Sequence, residues 1–253
     1  MFPYLRLGPF LLQTPGLALL AGFWLGTRLT EKESNRIGLN PDHVNGIIFS
    51  GLLAGIVGAR LGYALQYFSV YAANPISLFA LTANTLNPFA GMFIAIIVGF
   101  VYAGHKHLPL RPTLDALAPG LAVFLIALGI AHILSGDAFG EPANNLPWSI
   151  YLWNEYRHPS QAYETLAALI ILALTQSFLW VQPSSGVNFL TVIALSSMAR
   201  IFLESFRGDS IIWLGGLRAA QIIGLIVLTI TLWLIGLWSQ PQTRSTAVQE
   251  KLR

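Results

Sequence analysis

The chain has 253 residues, of which 55% are apolar and only 10% are charged, whereas soluble domains carry about 25% charged residues. This composition excludes an ordinary soluble domain and predicts an all-α, polytopic transmembrane helical bundle. The net charge is +3 and cysteine is absent, which excludes disulfides, a thiolate nucleophile and cysteine-ligated metals. We expect no cofactor, no metal site and no nucleic-acid partner, since the sequence lacks phosphate-binding loops, metal-ligand spacings and basic stripes.

Seven apolar segments follow one another along the chain, and each approaches the roughly 20 residues that a membrane-spanning helix needs. They cover residues 11–29, 44–68, 89–104, 114–134, 163–181, 187–203 and 214–238. Residues 75–86 are half apolar, and they either lie in the membrane interface or re-enter the bilayer. The sequence therefore predicts one transmembrane domain over residues 1–239 and a polar tail over residues 240–253.

The Lys and Arg residues of the short loops predict the orientation of these segments. One side of the membrane would hold Arg28, Lys32, Arg36, Lys106, Arg111, Arg244, Lys251 and Arg253, and the other side Arg6, Arg157 and Arg207. The richer side is expected to be cytoplasmic. This places the N-terminus and the loop 135–159 outside and the C-terminus inside, in a multi-pass protein of the cytoplasmic membrane.

Five charged residues lie inside the apolar segments or at their ends, all in the predicted outer half of the bilayer. They are Arg60, Glu164, Arg200, Glu204 and Arg218. An intramembrane charge costs about 2.5–3.5 kcal/mol on insertion scales, so it is rarely kept without a partner or a function. Their shared depth indicates a site for an anionic phospholipid. The alternative is a set of interhelical salt bridges with arginines that extend to the interface.

Arg200, Glu204 and Arg207 are spaced so that they share one helical face. A glutamate between two arginines can hold one guanidinium while the other stays free, and a guanidinium matches phosphate oxygens with two parallel hydrogen bonds. Arg60 is followed at helical spacing by Tyr63, whose hydroxyl can reach a lipid headgroup. Arg200 and Glu204 are therefore candidate catalytic residues, and Arg207, Arg60 and Tyr63 are candidate ligands of the phospholipid.

Residues 157–164 read Arg-His-Pro-Ser-Gln-Ala-Tyr-Glu and open the fifth segment. Proline is favoured in a first helical turn, and free backbone N–H groups there can bind an anion. The candidate site residues of this motif are Arg157, His158, Ser160, Gln161, Tyr163 and Glu164. Trp148 of the preceding loop is assigned instead to an interfacial aromatic belt or to loop packing.

Three motifs, at 58–63 (Gly-Ala-Arg-Leu-Gly-Tyr), at 157–164 and at 200–207, occur in the order seen in prolipoprotein diacylglyceryl transferases. Residues 136–142 resemble the loop that precedes the second motif in that family, which adds Asp137 and Gly140 to the expected substrate site. The resemblance covers residues 17–225. It implies transfer of a diacylglyceryl group from phosphatidylglycerol to the lipobox cysteine of a preprolipoprotein signal peptide, with release of glycerol phosphate.

Two family motifs are altered here. A His-Gly-Gly motif falls near residues 89–91, where the histidine is missing, and a second motif falls on residues 129–137. In that second motif Gly129 replaces an arginine and His132 replaces an asparagine. The general base that would deprotonate the acceptor thiol is thus open between His132, His158 and the arginine cluster alone. The sequence favours His158, because its whole motif is retained, and His132 has the alternative role of a hydrogen-bonded residue inside the bundle.

We expect Arg60, Arg200 and residues 158–164 to converge on one cavity open to the outer leaflet. Besides the transferase reading, two alternatives stay open: a membrane transferase with another lipid donor or acceptor, and a non-catalytic phospholipid-binding homologue. A transporter is disfavoured, because the sequence shows no internal repeat and no paired broken helices.

Overall fold

The computed structural model describes residues 3–8, 10–79, 85–144, 146–178 and 186–239. Helices dominate these ranges, as the composition predicts. The α-helices are α1 (Thr14–Arg36), α2 (Pro41–Gln66), α3 (Phe68–Ala73), α4 (Pro88–His105), α5 (Leu110–Ser135), α6 (Ser160–Phe178), α7 (Val187–Leu203) and α8 (Ala219–Trp238). The predicted tail 240–253 and the end of the fifth predicted segment, 179–181, lie outside the described residues.

Short hairpins and 3₁₀ turns join the helices. Strands β1 (Tyr4–Leu7) and β2 (Phe10–Gln13) pair antiparallel before α1, and β3 (Ile150–Leu152) and β4 (Glu155–Arg157) pair antiparallel before α6. The 3₁₀ turns cover Pro75–Phe79, Glu204–Phe206 and Leu214–Gly216. The described part of the half-apolar stretch 75–86 is therefore a 3₁₀ turn and a short connection, and residues 80–84 lie outside the description.

Local sequence signals explain where the helices begin. Asn40 and Asn87 each precede a proline at the first helical position, and their side chains accept hydrogen bonds from the N–H groups of Asp42 and Ala90 at 2.9 and 3.1 Å. The last helix begins at 219 instead of the predicted 214, because Gly215 and Gly216 adopt positive φ angles that interrupt the helix.

The bundle is built from antiparallel helix pairs, with α1 packed on α5, α2 on α4 and α7 on α8, and with α6 between α5 and α7. Small residues allow the closest approaches: a Cβ at Gly26 of α1 would lie 3.0 Å from the carbonyl oxygen of Gly120 of α5. Such contacts are typical of helices packed in membranes. Large apolar side chains of α4 and α8, such as Phe93 and Trp233, are exposed on the outside of the bundle.

Five helical segments in the described ranges are long and apolar enough to cross a membrane. They are Pro41–Gln66, Pro88–His105, Leu110–Ser135, Val187–Phe206 and Ala219–Trp238. The chain is thus an all-helical membrane protein, apart from its two short hairpins. Helices α1 and α6 are more polar, since α1 carries charged residues in its second half and the described part of α6 is polar at both ends.

The bundle has two ends. The hairpin end is the one formed by residues 136–159 and 204–218, and the opposite end holds the start of α5 and of α7. At the opposite end the buried carboxylate of Asp115 accepts hydrogen bonds from the N–H groups of Gly186 and Phe189, at 2.7 and 3.1 Å. A side chain of α5 therefore caps the first turn of α7.

Candidate functional site

Glu164, in the first turns of α6, is the centre of a charged cluster at the hairpin end. Its Oε1 atom accepts hydrogen bonds from Nη1 of Arg200 at 2.9 Å and from Nη1 of Arg207 at 2.7 Å. Its Oε2 atom lies 3.5 Å from Nδ1 of His132 on α5. One carboxylate thus joins three helices and the turn that follows α7.

Glu204 is the second carboxylate of the cluster and is almost completely buried, with 1% of its surface exposed. Its Oε2 atom lies 2.9 Å from Nη2 of Arg200 and 4.0 Å from Nε of Arg207. The glutamate therefore lies between the two arginines, but the three residues do not share one helix, because α7 ends at Leu203, Glu204 begins a 3₁₀ turn and Arg207 follows that turn. Each arginine contacts both glutamates, which offsets the cost of placing charges near the membrane.

The two arginines of the cluster differ in how firmly they are held. Arg207 donates to Oδ1 and Oδ2 of Asp209 at 2.9 and 2.7 Å, and its side chain is 11% exposed. Burial lowers the pKa of Arg207, but Asp209 and Glu164 outweigh burial and hold that pKa above its ordinary value. The side chain of Arg200 is 38% exposed, so Arg200 is the more accessible cation for a ligand.

Arg218, one of the five charges that the sequence places in the outer half of the bilayer, fixes the backbone under this cluster. Its Nη1 atom donates to the carbonyl oxygens of Glu204 and Arg207 at 2.5 and 2.6 Å and to Oγ of Ser210 at 2.8 Å. Its Nη2 atom donates to Oε1 of Glu141 at 2.8 Å. The sequence signal for this role is the position of Arg218, a single arginine that follows Gly215 and Gly216 near the start of the last predicted apolar segment.

The loop 136–142 lies on the start of α6. The hydroxyl of Ser160 donates to the carbonyl of Ala138 at 2.6 Å, and Nε2 of Gln161 donates to the carbonyl of Asp137 at 3.0 Å. Ser160 and Gln161 are buried. These two predicted site residues therefore hold the loop in place through its backbone, and in this structure their polar groups face protein.

Arg157 and Gly140 form the other attachment of the same loop. Nη1 of Arg157 donates to the carbonyl of Gly140 at 3.1 Å, and Nη2 contacts Glu155 at 2.5 Å. A Cβ at Gly140 would lie 2.2 Å from the carbonyl oxygen of His158, so no larger residue fits there. Gly140 also bridges to Arg207. The conformation of this loop thus connects the start of α6 to the charged cluster.

Two cavities flank the contact between α6 and α7. A cavity of about 150 Å³ borders α5, and its polar lining is His132, Glu164, Ser196 and Arg200. An apolar groove of about 630 Å³ lies against α6 and α7 and is lined by Leu146, Trp148, His158, Tyr163, Leu166, Ala167, Ile170, Ala199, Phe202, Leu203 and Phe206. Ala167, Ala199 and Leu203 line both spaces, so the charged cavity and the groove are adjacent at these side chains.

Aromatic residues surround the polar end of the groove. The hydroxyl of Tyr163 accepts a hydrogen bond from Nε1 of Trp148 at 2.8 Å and lies 3.4 Å from Nδ1 of His158. The rings of His158 and Tyr163 pack against Phe206, with centroids 5.2 and 5.8 Å away. Trp148 is therefore part of this groove in addition to being half exposed.

Arg60 lies apart from the cluster. Its guanidinium donates to the carbonyls of Leu78 at 2.9 Å, of Ser77 at 2.6 Å and of Thr85 at 3.1 Å, and it also contacts the Thr85 hydroxyl. It lines neither of the two cavities described above. Arg60 therefore contacts the loop between α2 and α4 in this structure, and its expected convergence with Arg200 on one cavity stays a prediction.

Tyr63 follows Arg60 on α2 and belongs to the same region. Its ring packs on Tyr67 with centroids 4.6 Å apart and on Tyr71 at 6.3 Å. Tyr71 in turn lies 5.6 Å from the guanidinium carbon of Arg60.

Within the described ranges, no group of three or more His, Asp or Glu side chains is arranged to hold a metal ion.

Comparison with known proteins agrees with this geometry. The model of the prolipoprotein diacylglyceryl transferase family matches residues 3–237. A phosphatidylglycerol–prolipoprotein diacylglyceryl transferase of Clostridioides difficile is 30% identical over 211 residues, 83% of this chain and 84% of the relative. Transferases of the same name from Trichormus variabilis and Brucella anthropi are 27% and 25% identical and cover 90% and 97% of the chain, and 86% and 92% of their own length. The chain therefore belongs to the prolipoprotein diacylglyceryl transferase family.

Proposed function

We propose that the protein transfers a diacylglyceryl group from phosphatidylglycerol to the lipobox cysteine of a preprolipoprotein at the outer face of the cytoplasmic membrane. The observation that supports this most is the partly exposed Arg200, held by Glu164 and Glu204 beside an apolar groove. A phospholipid requires both features, a cation for its phosphate and an apolar surface for its acyl chains. The names of the relatives state both substrates.

In the proposed reaction, the acceptor thiolate attacks the carbon of the diacylglyceryl moiety that is bonded to a phosphate oxygen. A C–S bond forms, the C–O bond breaks, and glycerol phosphate leaves with the electron pair. Negative charge therefore grows on the phosphate, where the planar guanidinium of Arg200 can stabilise it. Arg207, held by Asp209 and Glu164, adds positive charge at a fixed position.

The acyl chains of the donor are proposed to lie in the groove between α6 and α7. Leu166, Ile170 and Phe202 give it apolar walls, and Tyr163 and His158 lie at its polar end. Because Ala167, Ala199 and Leu203 line both the groove and the charged cavity, we expect a lipid in the groove to place its headgroup near Arg200. The loop residues Asp137 and Gly140, held by Gln161, Ser160 and Arg157, are proposed to border the headgroup.

One observation favours a second candidate function. The cluster lacks two residues that the resemblance leads us to expect, the arginine at position 129 and the histidine near residues 89–91. A related transferase with another donor or acceptor, or a non-catalytic phospholipid-binding protein, would retain the cluster without them. These alternatives differ from the proposal in what the purified protein does with phosphatidylglycerol.

A release assay separates these functions. The protein in nanodiscs that contain phosphatidylglycerol labelled in its headgroup glycerol is given a lipobox peptide, and released glycerol phosphate is measured. We expect release only with the peptide. Substitution of the peptide cysteine by serine, or of phosphatidylglycerol by phosphatidylcholine, is expected to abolish it. Absence of release from the complete mixture contradicts the proposed transfer and supports one of the two alternatives.

We further propose that the single transmembrane domain, residues 1–239, crosses the membrane seven times, with α1 and α6 joining the five more apolar helices. The N-terminus and the hairpin end would lie outside and the C-terminus in the cytoplasm. A reporter fused after Arg253 is expected to register cytoplasm, and one inserted near Asn144 to register the outside. Both reporters on the same side would contradict this topology.

A further inference from the structure

The contact between α5 and α6 leaves no room for a side chain at position 129. A Cβ on Gly129 would lie 2.3 Å from Oγ1 and 3.1 Å from Cα of Thr165. Both distances are shorter than ordinary carbon contacts, and Cα cannot move without moving α6. A side chain at this position would therefore require Thr165 to change rotamer and α6 to move by a few tenths of an ångström. Gly129 itself offers no functional group, so a side chain that α5 contributes to the site must come from another residue.

His132 is that residue. It follows Gly129 by three positions, so it lies on the same face of α5 one turn nearer the hairpin end. Its side chain is 26% exposed and borders the 150 Å³ cavity together with Glu164 and Arg200. Among the described residues, Nδ1 of His132 is buried and has no partner except Glu164, whose Oε2 lies 3.5 Å away.

The charges around His132 define how its ring can act. Glu164 faces Nδ1 from α6, and Arg200 lines the same cavity from α7. Arg207 and Glu204 act on His132 only indirectly, because Arg207 contacts Glu164 and Glu204 contacts Arg200. A carboxylate opposite Nδ1 favours the tautomer with the proton on Nδ1, which leaves Nε2 as a proton acceptor. At 3.5 Å the contact is long, as catalytic hydrogen bonds often are without substrate.

We propose that His132 is the general base of this chain, oriented by Glu164. This inference rests on the proposed function. Nε2 of His132 takes the proton from the acceptor thiol, and the thiolate sulfur attacks the glyceryl carbon. The C–O bond to phosphate breaks, glycerol phosphate leaves beside Arg200, and the imidazolium returns its proton to the phosphate or to water. A free thiol has a pKa of about 8.5 and is only a few per cent ionised at neutral pH, so a base adjacent to it is useful.

The surroundings of His158 differ from those of His132. Nδ1 of His158 lies 3.4 Å from the hydroxyl of Tyr163, and its ring packs on Phe206 inside the apolar groove. The structure gives it no ion pair with a carboxylate in the described ranges. The geometry therefore favours His132 as the base, whereas the retained motif in the sequence favours His158.

Matched asparagine variants test this assignment. Asparagine at position 132 can keep a hydrogen bond to Glu164 through its amide, but it cannot accept the thiol proton at neutral pH. We expect His132→Asn to lower turnover in the release assay by about 10²–10⁴, the usual contribution of a general base. His158→Asn is expected to cost less than tenfold. His105→Asn, at the exposed end of α4 on the opposite end of the bundle, serves as the control with parental turnover.

The pH profile separates a base from a cation. If His132 accepts a proton, turnover of the parent falls as pH decreases, because the imidazolium has no lone pair, and His132→Asn loses this acid limb. If His132 serves as a cation for the phosphate, the parent gains turnover at low pH, which overturns the proposal. A larger loss in His158→Asn than in His132→Asn also overturns it, and the proposed function then still stands.

A measurement that does not depend on activity, the tautomer of the His132 ring, distinguishes failure of the inference from failure of the proposed function. The chain has five histidines, so ¹⁵N-histidine NMR with single His→Asn variants assigns each ring. We expect His132 to hold its proton on Nδ1 and to lose this preference in Glu164→Gln. If the parent releases no glycerol phosphate, the proposed function and the catalytic role fail together, even if the tautomer is as expected. If the parent is active and the tautomer preference is absent, only the inferred pair is overturned.

Discussion

Two arginines near the hairpin end, Arg60 on α2 and Arg200 on α7, have the same chemistry and opposite surroundings. Arg60 donates to the backbone carbonyls of three residues in one loop. Arg200 contacts two carboxylates, Glu164 and Glu204, and keeps 38% of its side chain exposed. The sequence alone does not distinguish the two arginines, since both interrupt apolar segments. Their acceptors distinguish them.

The difference shows how the role of a membrane arginine can be read. A guanidinium has five N–H donors. When uncharged carbonyls of one loop occupy most of them, as for Arg60, the residue fixes that loop. When carboxylates hold the guanidinium from one side and the other side faces a cavity, as for Arg200, donors and space remain for an anion. We therefore propose that Arg60 stabilises its loop and that Arg200 binds the substrate.

Arg200→Lys is the strongest test of this distinction. Lysine keeps the charge, but it cannot reproduce the planar fork that donates to Glu164 and can match two phosphate oxygens. Removing one such electrostatic donor typically costs about 10²–10³ in turnover, and we expect a loss of that size in the release assay. Arg28→Lys, an exposed change in the second half of α1, should keep parental turnover. Parental turnover in Arg200→Lys would remove the basis for separating the two arginines.

Arg60→Gln tests the other half of the comparison. The variant leaves the carbonyls of Ser77, Leu78 and Thr85 without their charged donor, and such hydrogen bonds are worth about 2 kcal/mol. In a chain of this size, each such bond that glutamine does not replace corresponds to a fall in Tm of about 4–8 °C. Turnover per folded molecule should stay within about threefold of the parent. A loss of turnover as large as that of Arg200→Lys, with an unchanged Tm, would assign Arg60 to the substrate instead.

Arg218→Gln is expected to have a smaller effect on the reaction than Arg200→Lys. Arg218 acts on the site through the carbonyls of Glu204 and Arg207, so its loss should displace the charged side chains without removing them. We expect turnover to fall by about tenfold, equivalent to about 1.4 kcal/mol, and Arg218→Lys to restore part of it. Equal damage from the lysine and glutamine variants would argue against a positioning role and in favour of a purely structural one.

The sequence predicts the fold well because its main signal is local. The apolar segments coincide with long helices, and the cap residues Asn40 and Asn87 explain where two of them begin. The last helix begins later than predicted, since hydropathy alone does not register the positive φ angles of Gly215 and Gly216. The spacing of Arg200, Glu204 and Arg207 also predicts that they lie together, but it does not show that α7 ends at Leu203 and that Arg207 follows a 3₁₀ turn.

Contacts between helices are what the sequence could not supply. Glu164 is joined to Arg200 across 36 residues and to Arg207 across 43 residues of chain, and nothing local selects it over Glu204 as the centre. The acceptors of Arg60 lie in a loop whose path depends on how α2 and α4 pack. The pairing of His132 with Glu164 likewise follows from the close approach of α5 and α6 at Gly129.

The Asp115 cap has a consequence for biogenesis. Its carboxylate on α5 accepts hydrogen bonds from the backbone N–H groups of Gly186 and Phe189, across 71 and 74 residues of chain. From Gly186 to Arg200 is a run of about 21 Å of helix, at 1.5 Å per residue. A slip of α7 by one residue would rotate Arg200 by about 100° and turn it away from Glu164. The position of Arg200 at the hairpin end therefore depends on the Asp115 contact at the opposite end of the bundle. During synthesis, the site can be completed only after α7 has been inserted next to an α5 that is already in place.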